Sequence, residues 1–210
     1  VIPNAGILPD LFLDQNELLW PSPVLKEAGF SDPYWVINAG IKSDFTLKQY
    51  HRWQEVVDSL RDEITFVQVG MLEHLHQPLE GVVDMRGKTD HRELFRVIQH
   101  AEGVLTSVSY PMHIAAALKT PCVVVAGGRE GSRWEMYPNQ RYLYTNGALE
   151  CCKTDGCWKS KVDECKTPTD FNGQTVPLCM DLIRPEDIVR SIQLFYKGGV
   201  LKRKEEFASA

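Results

Sequence analysis

Gly103-Val104-Leu105-Thr106-Ser107-Val108 runs directly into Ser109-Tyr110-Pro111-Met112-His113-Ile114-Ala115-Ala116-Ala117-Leu118, and Pro121-Cys122-Val123-Val124-Val125-Ala126-Gly127-Gly128 follows. Two short apolar runs rich in Val flank a segment of Ala, Met and Leu that opens at a proline. β-Branched residues fit a buried pleated surface, whereas proline is accommodated in the first turn of a helix. The stretch therefore reads strand, helix, strand. An apolar run without polar alternation marks a strand covered on both faces, as in a parallel sheet.

The same alternation extends outward. Tyr34-Trp35-Val36-Ile37-Asn38, ended by Gly40, reads as a buried strand. Thr46 stands where it can cap a helix carrying Tyr50, Trp53, Val56, Val57 and Leu60 on one face, and Lys48 falls at that helix's start. Ile64 to Val69 is a further strand, closed by Gly70. Asp90-His91-Arg92-Glu93 has the form of a capping box ahead of Leu94, Phe95, Val97, Ile98 and Ala101. Pro185, Glu186 and Asp187 open a last helix, with Gly198 and Gly199 past its end. Strands alternating with helices predict an α/β fold, a Rossmann-like parallel sheet with helices on both faces. Residues 1–33, rich in Pro, Asn, Asp and Ser, read as a linker and lead-in with a helical turn or two. Residues 34–210 then form one domain with a cysteine-rich insert at about 150–180.

Composition narrows the function. A formal net charge of -5 argues against a nucleic-acid surface, which needs clustered Lys and Arg in excess. No apolar run reaches the ~18 residues of a membrane helix, so no transmembrane segment is expected. The first residues, Val1-Ile2-Pro3-Asn4, resemble neither an initiator Met nor a signal peptide, and read as a cut inside a longer chain. The expected location is the cytoplasm, in solution or peripheral at the inner membrane.

Ligands of open parallel sheets bind beyond the carboxyl ends of the strands, so the loops there are the candidates. A P-loop G-x-x-x-x-G-K-[ST] is missing, and Gly127-Gly128-Arg129-Glu130-Gly131 lacks dinucleotide-binding spacing. In the first loop Gly40 permits close backbone approach, while Lys42 and Lys48 supply cations. A diphosphate there would meet lysines and a helix N-terminus; two solvated surface lysines are the alternative. In the loop after Val108, Ser109 and Tyr110 take the cap positions of a helix, and His113 falls in its first turn. After the next strand, Gly127 and Gly128 suit close passage of a ligand, or a plain tight turn.

Four features in order then resemble a known family: Lys48 six residues after Lys42, the turn Gly87-Lys88-Thr89-Asp90, the stretch Ser109 to Ala117, and Pro121 to Gly128. They resemble the C-terminal domain of glycosyltransferase family 9, the ADP-heptose:lipopolysaccharide heptosyltransferases. The family's Asp-Thr-Gly-Pro-Met-His motif is matched by Val108-Ser109-Tyr110-Pro111-Met112-His113, which keeps Pro, Met and His, exchanges Thr for Ser and lacks the Asp and Gly. The resemblance implies one half of a two-domain GT-B enzyme that transfers a sugar with inversion. Its donor would be a nucleotide sugar, with an ADP-sugar favoured, and its acceptor a surface glycan or protein. Ser109, Met112 and His113 would line the nucleotide site and Lys48 would reach the phosphates. The catalytic base would come from an N-terminal domain missing from this stretch, and the chemistry would need no cofactor. A non-catalytic interaction or oligomerisation module and a sugar-nucleotide epimerase-like domain are the other readings.

Six cysteines are unevenly placed. Cys122 lies in a strand. Cys152, Cys157, Cys165 and Cys179, with Cys151 able to replace Cys152, fall on a loop-rich segment. Four thiolates around one ion would staple a segment too polar to pack alone, and both zinc and iron suit sulfur. Free thiols or disulfides are the alternatives. The family resemblance adds weight to iron, since a branch that glycosylates bacterial surface proteins carries a cysteine-bound iron.

Overall fold

A computed structural model describes residues 8–40, 46–74, 78–154, 156–160 and 164–196. Six parallel strands form the main sheet: β1 (Tyr34–Asn38), β2 (Thr65–Gln68), β3 (Val83–Asp84), β4 (Gly103–Ser107), β5 (Cys122–Gly127) and β6 (Gln140–Tyr144). Their spatial order is β3-β2-β1-β4-β5-β6, so the winding reverses between β1 and β4. This is the doubly wound order in which a crevice opens at the switch point.

Every residue of β1, β4 and β5 is buried, as the unbroken apolar runs require. Because side chains alternate across a strand, each strand feeds two cores. Tyr34, Val36, Val104, Cys122 and Val124 face one, while Trp35, Ile37, Leu105, Val123 and Val125 face the other. The first core is closed by α4 (His91–His100) and α5 (Tyr110–Ala117), the second by α3 (Trp53–Leu60) and α8 (Pro185–Tyr196).

Local signals explain the helix boundaries unevenly. The capping box of α4 forms in both directions: Glu93 N–H donates to Asp90 at 2.7 Å, and Asp90 N–H donates to Glu93 at 3.0 Å. Ser109 caps α5 in extended conformation, with Pro111 in the first turn. Thr46 does not cap α3. Thr46–Lys48 is a separate 3-10 turn, and Arg52 holds the cap position of α3. Lys48 therefore sits upstream of a helix start and not on it. Gly198 and Gly199 lie outside the described residues.

The lead-in carries two short helices, α1 (Gln15–Leu18) and α2 (Pro23–Ala28), and these are docked on α4. Glu17 pairs with Arg92, Arg96 donates to the Leu18 and Trp20 carbonyls, and Val24 is fully buried.

Downstream of α6 (Ser132–Glu135) and β6, the cysteine segment ends in an antiparallel hairpin, β7 (Pro168–Phe171) and β8 (Gln174–Pro177), then α7 (Leu178–Asp181). A polar clamp ties it to the domain. Asp181 Oδ1 lies 3.0 Å from His51 Nε2 and accepts from Arg52 Nη2 at 2.8 Å, while Arg52 also covers the Phe171 ring at 4.5 Å. Burial acts to raise the Asp181 carboxyl, but the hydrogen bonds from Arg52 and His51 outweigh it and hold it below its ordinary value.

Asp181→Ala strips His51 and Arg52 of their shared acceptor and should cost about 1–3 kcal/mol in urea denaturation at pH 7. A carboxyl with a lowered folded value stabilises above its unfolded value and loses that contribution as pH falls. The difference from wild type should therefore persist down to about pH 4 and close below it. A variant as stable as wild type at pH 7 would remove the clamp from the account.

Candidate functional site

Side chains from four elements meet at the carboxyl end of the sheet. At the switch point Asn38, ending β1, donates through Nδ2 to the Val69 carbonyl at 3.2 Å. Its Oδ1 accepts from Ser109 Oγ at 3.3 Å, and Ser109 Oγ is 2.8 Å from Thr106 Oγ1. This chain locks β1 and β4 together where the crevice must open. It also turns the Ser109 hydroxyl away from capping α5, which has no side-chain cap bond.

The start of α5 has a limited supply of N–H groups. Pro111 has none, and Met112 N–H donates to the Ser109 carbonyl at 3.1 Å. Met112 itself, expected to line the site, is fully buried in the core. Tyr110 is half-exposed and packs edge-on to His91 with centroids 5.6 Å apart. His113 Nδ1 is 2.9 Å from the Tyr137 hydroxyl, and its Nε2 is 3.9 Å from Glu135 Oε1. Burial, then the positive charge of Lys48, lowers the His113 value, so the imidazole is mainly neutral at pH 7.

Lys48 reaches the same crevice but arrives paired. Its Nζ is 2.5 Å from Glu130 Oε1, and Arg129 Nε lies 3.7 Å from the same oxygen. Glu130 is only 5% exposed, and its Oε2 is buried without a hydrogen-bond partner among the described residues. Glu135 is raised first by burial and then by Glu130. The sequence reading missed Glu130, Glu135, Asn38 and Tyr137. Glu130 carried a signal, a carboxylate inside a glycine loop at a strand's end, whereas Tyr137 joins the site through its hydroxyl contact and ring packing on His113, which no local pattern shows.

Gly40 is buried at the crevice edge, and Lys42 lies outside the described residues. Gly127 and Gly128, expected to let a ligand pass, lie close against the cysteine segment. Gly127 has φ +63, and a Cβ there would fall 2.4 Å from Met180 Sδ; at Gly128 it would fall 2.9 Å from Cys152 Sγ. Both glycines admit the cysteine segment against the end of β5.

The thiols of Cys151, Cys152, Cys157, Cys165 and Cys179 line one small cavity, with Leu47, Gly128 and Arg129 among its other walls. All six cysteines are free. Cys122 lies apart in β5, its thiol pushed up by burial. Burial raises Cys179 to about 11, with a backbone contact from Gly128 opposing and the nearby thiols of Cys165, Cys157 and Cys152 adding to the rise. The donor set has the softness zinc or iron requires. Its side chains are not converged, however: among the described residues no three His, Cys, Asp or Glu are gathered closely enough to hold a metal ion. No helix among the described residues is long and apolar enough to cross a membrane.

Comparison with known proteins follows this geometry. The profile of glycosyltransferase family 9 (heptosyltransferase) matches residues 22–167. No curated protein matches the chain. Among solved structures, E. coli ADP-heptose LPS heptosyltransferase II is similar at a TM-score of 0.62 and 16% identity, over 91% of this chain and 54% of that one. The dodecameric iron-containing heptosyltransferase TibC, in complex with ADP-D-beta-D-heptose, is similar at 0.60 and 20% identity, over 80% and 46%. A family 9 glycosyl transferase from Veillonella parvula gives 0.62 and 15%, over 88% and 52%. At such identities these likenesses establish the Rossmann-like fold, and the chain spans about half the length of each. With the family profile covering more than half of its residues, the chain belongs to glycosyltransferase family 9, the heptosyltransferases.

Proposed function

We propose that this chain is the donor-binding half of an inverting GT-B glycosyltransferase, holding a nucleotide-diphosphate sugar, with ADP favoured as the nucleotide. The observation behind this reading is that, in a family 9 domain, Ser109 bonds Asn38 at the β1/β4 switch point while Lys48 pairs with Glu130 after β5 and acts by its charge on His113 of the adjoining helix. The similar structures named for ADP-heptose support the choice of ADP and of a heptose-like sugar.

In this reading the leaving group is the diphosphate, and the task of this half is to stabilise the charge that grows on it. Lys48 exchanges Glu130 for a phosphate oxygen. The neutral His113 donates to or accepts from the ligand according to the tautomer set by Tyr137. Charge complementarity aimed at the developing anion is commonly the largest single contribution to such catalysis. The acceptor, a surface glycan or protein, and the base that deprotonates it belong to an N-terminal domain outside this chain. The site would work on the cytoplasmic side, in solution or at the inner membrane surface.

Calorimetric titration with ADP, UDP and GDP tests the reading. Selective ADP binding is the expected result, and Lys48→Ala should weaken it roughly tenfold, about 1.4 kcal/mol. Absence of binding by all three nucleotides would overturn the donor-site reading. Unchanged affinity in the Lys48 variant would remove only the phosphate role of that lysine.

The thiol cavity supports a structural metal held by Cys152, Cys157, Cys165 and Cys179, drawn together on binding, with no part in the chemistry. Elemental analysis should find one zinc or iron per chain, and chelation should lower the melting temperature by several degrees. A metal-free protein with an unchanged melting temperature would leave the cysteines as packed free thiols. A second reading, an oligomerisation module organised by this segment, is favoured by Gly127 and Gly128 serving its packing. It is distinguished by size-exclusion chromatography with and without chelator, because only this reading ties assembly to the cysteines.

A further inference from the structure

A cavity of about 420 Å3 opens between the chain that joins β1 to α3 and the β7–β8 hairpin. Sites for small ligands span roughly 300–1,000 Å3, so it has room for one sugar-sized group. None of Lys48, Ser109, His113 and Glu130 lines it, which sets it apart from the crevice at the switch point. One of its walls is β8 (Gln174–Pro177), which begins past residue 167, where the match to the family profile ends. The cavity is therefore built in part by residues outside the matched stretch.

The lining selects a ligand by its chemistry. Among the described residues that form it there is no Lys or Arg, and Glu164 is present, so an anion would meet no cation and one carboxylate. Leu47, Val176 and Pro177 supply apolar surface, while Gln49, Gln174 and Thr175 carry amides and a hydroxyl that both donate and accept. His51, also in the wall, adds a fixed requirement. Its side chain is 4% exposed, and its Nδ1 is buried without a hydrogen-bond partner among the described residues. Its Nε2 lies 3.0 Å from Asp181 Oδ1, closer than the 3.3 Å approach of Arg52 Nε, and an ionised carboxylate only accepts. The ring proton is then on Nε2, and Nδ1 keeps a lone pair that lacks a donor. A buried acceptor left in that state is destabilising. A group that offers hydroxyls to the imidazole and amides, and C–H surface to the apolar wall, is a neutral sugar ring.

We propose that the cavity between His51 and β8 binds an uncharged sugar residue, at a site separate from the nucleotide-sugar crevice. Binding there does not depend on the donor-site reading. If that reading holds, the cavity has a place in the reaction: Leu47 and Gln49 line it and flank Lys48 in the chain, so a glycan seated there lies beside the lysine that meets the diphosphate. That is a position for the acceptor and not for the donor sugar.

Saturation-transfer NMR titrations of the whole chain with glucose, galactose and mannose, and with glucosamine and glucuronate as charged counterparts, test the proposal without any nucleotide. At least one neutral hexose should bind, and more tightly than either charged sugar. Gln174→Ala removes an amide from the wall and Thr175→Trp fills the space. Both positions are exposed on β8, so the melting temperature should hold while the Kd for that hexose rises at least tenfold. Should Thr175→Trp fail to fold, Gln174→Ala decides the matter. Three outcomes would overturn the proposal: no binding by any of the neutral hexoses, an affinity unchanged in the variants, or a preference for glucosamine or glucuronate, which would reassign the cavity to a charged ligand. ADP, titrated separately, should bind both variants as it binds wild type. A wild type that binds a hexose and no nucleotide would refute the donor site and leave this site standing.

Discussion

A parallel sheet buried on both faces is the constraint on which the rest of the structure depends. Each of its central strands must supply apolar side chains in both directions, so β1 sends Tyr34 and Val36 to one core and Trp35 and Ile37 to the other. No ligand can reach such a sheet through its faces. Function is confined to the rim, and the reversal of winding between β1 and β4 selects the part of the rim where two loops diverge. Asn38 and Ser109 stand at that point, and their hydrogen-bond chain holds the rim in register while leaving its outer side open.

At the rim the governing balance is electrostatic. A buried ion pair such as Lys48–Glu130 seldom adds net stability, since desolvating two charges offsets most of their attraction. Its location beyond the carboxyl ends of the strands gives it a different value: on the donor-site proposal, Glu130 holds the lysine in place until a phosphate takes the carboxylate's position. Arg129, against the same carboxylate, limits the repulsion that Glu130 and Glu135 would otherwise exert on each other.

Much of the fold was legible because the determinants were local. The Val-rich strands, the reciprocal Asp90–Glu93 cap and Pro111 in a first turn each state their structure within a few residues. The edge strands β3 and β6 were not legible: Val83–Asp84 is too short to show a pattern, and Gln140–Tyr144 is only partly buried. Thr46 misled because a capping residue is indistinguishable in sequence from one that opens a 3-10 turn. Around the candidate site, the placement of Lys48, Ser109 and His113 beyond the ends of strands was legible from the pattern. Met112 was not, since the pattern alone does not show which side of α5 turns to the core. The pairing of Glu130 with Lys48 was hidden for a different reason, since two loops far apart in sequence meet only in three dimensions.

The cysteine segment joins these two levels. Leu47 and Arg129 both form walls of the thiol cavity, and each is the immediate neighbour of one member of the Lys48–Glu130 pair. Asn146 Nδ2 donates to the Gly128 carbonyl at 3.2 Å and Trp158 N–H to the Arg129 carbonyl at 3.3 Å, so the segment holds the backbone that carries Glu130. The Asp181 clamp fixes the far end of the segment to Arg52, at the cap of α3 and four residues beyond Lys48. The cysteine segment thus touches both of the loops whose charges meet in the Lys48–Glu130 pair. Glycine at 127 and 128 suits that arrangement, because position 127 has a positive φ and a Cβ at 128 would press on Cys152 and Cys179.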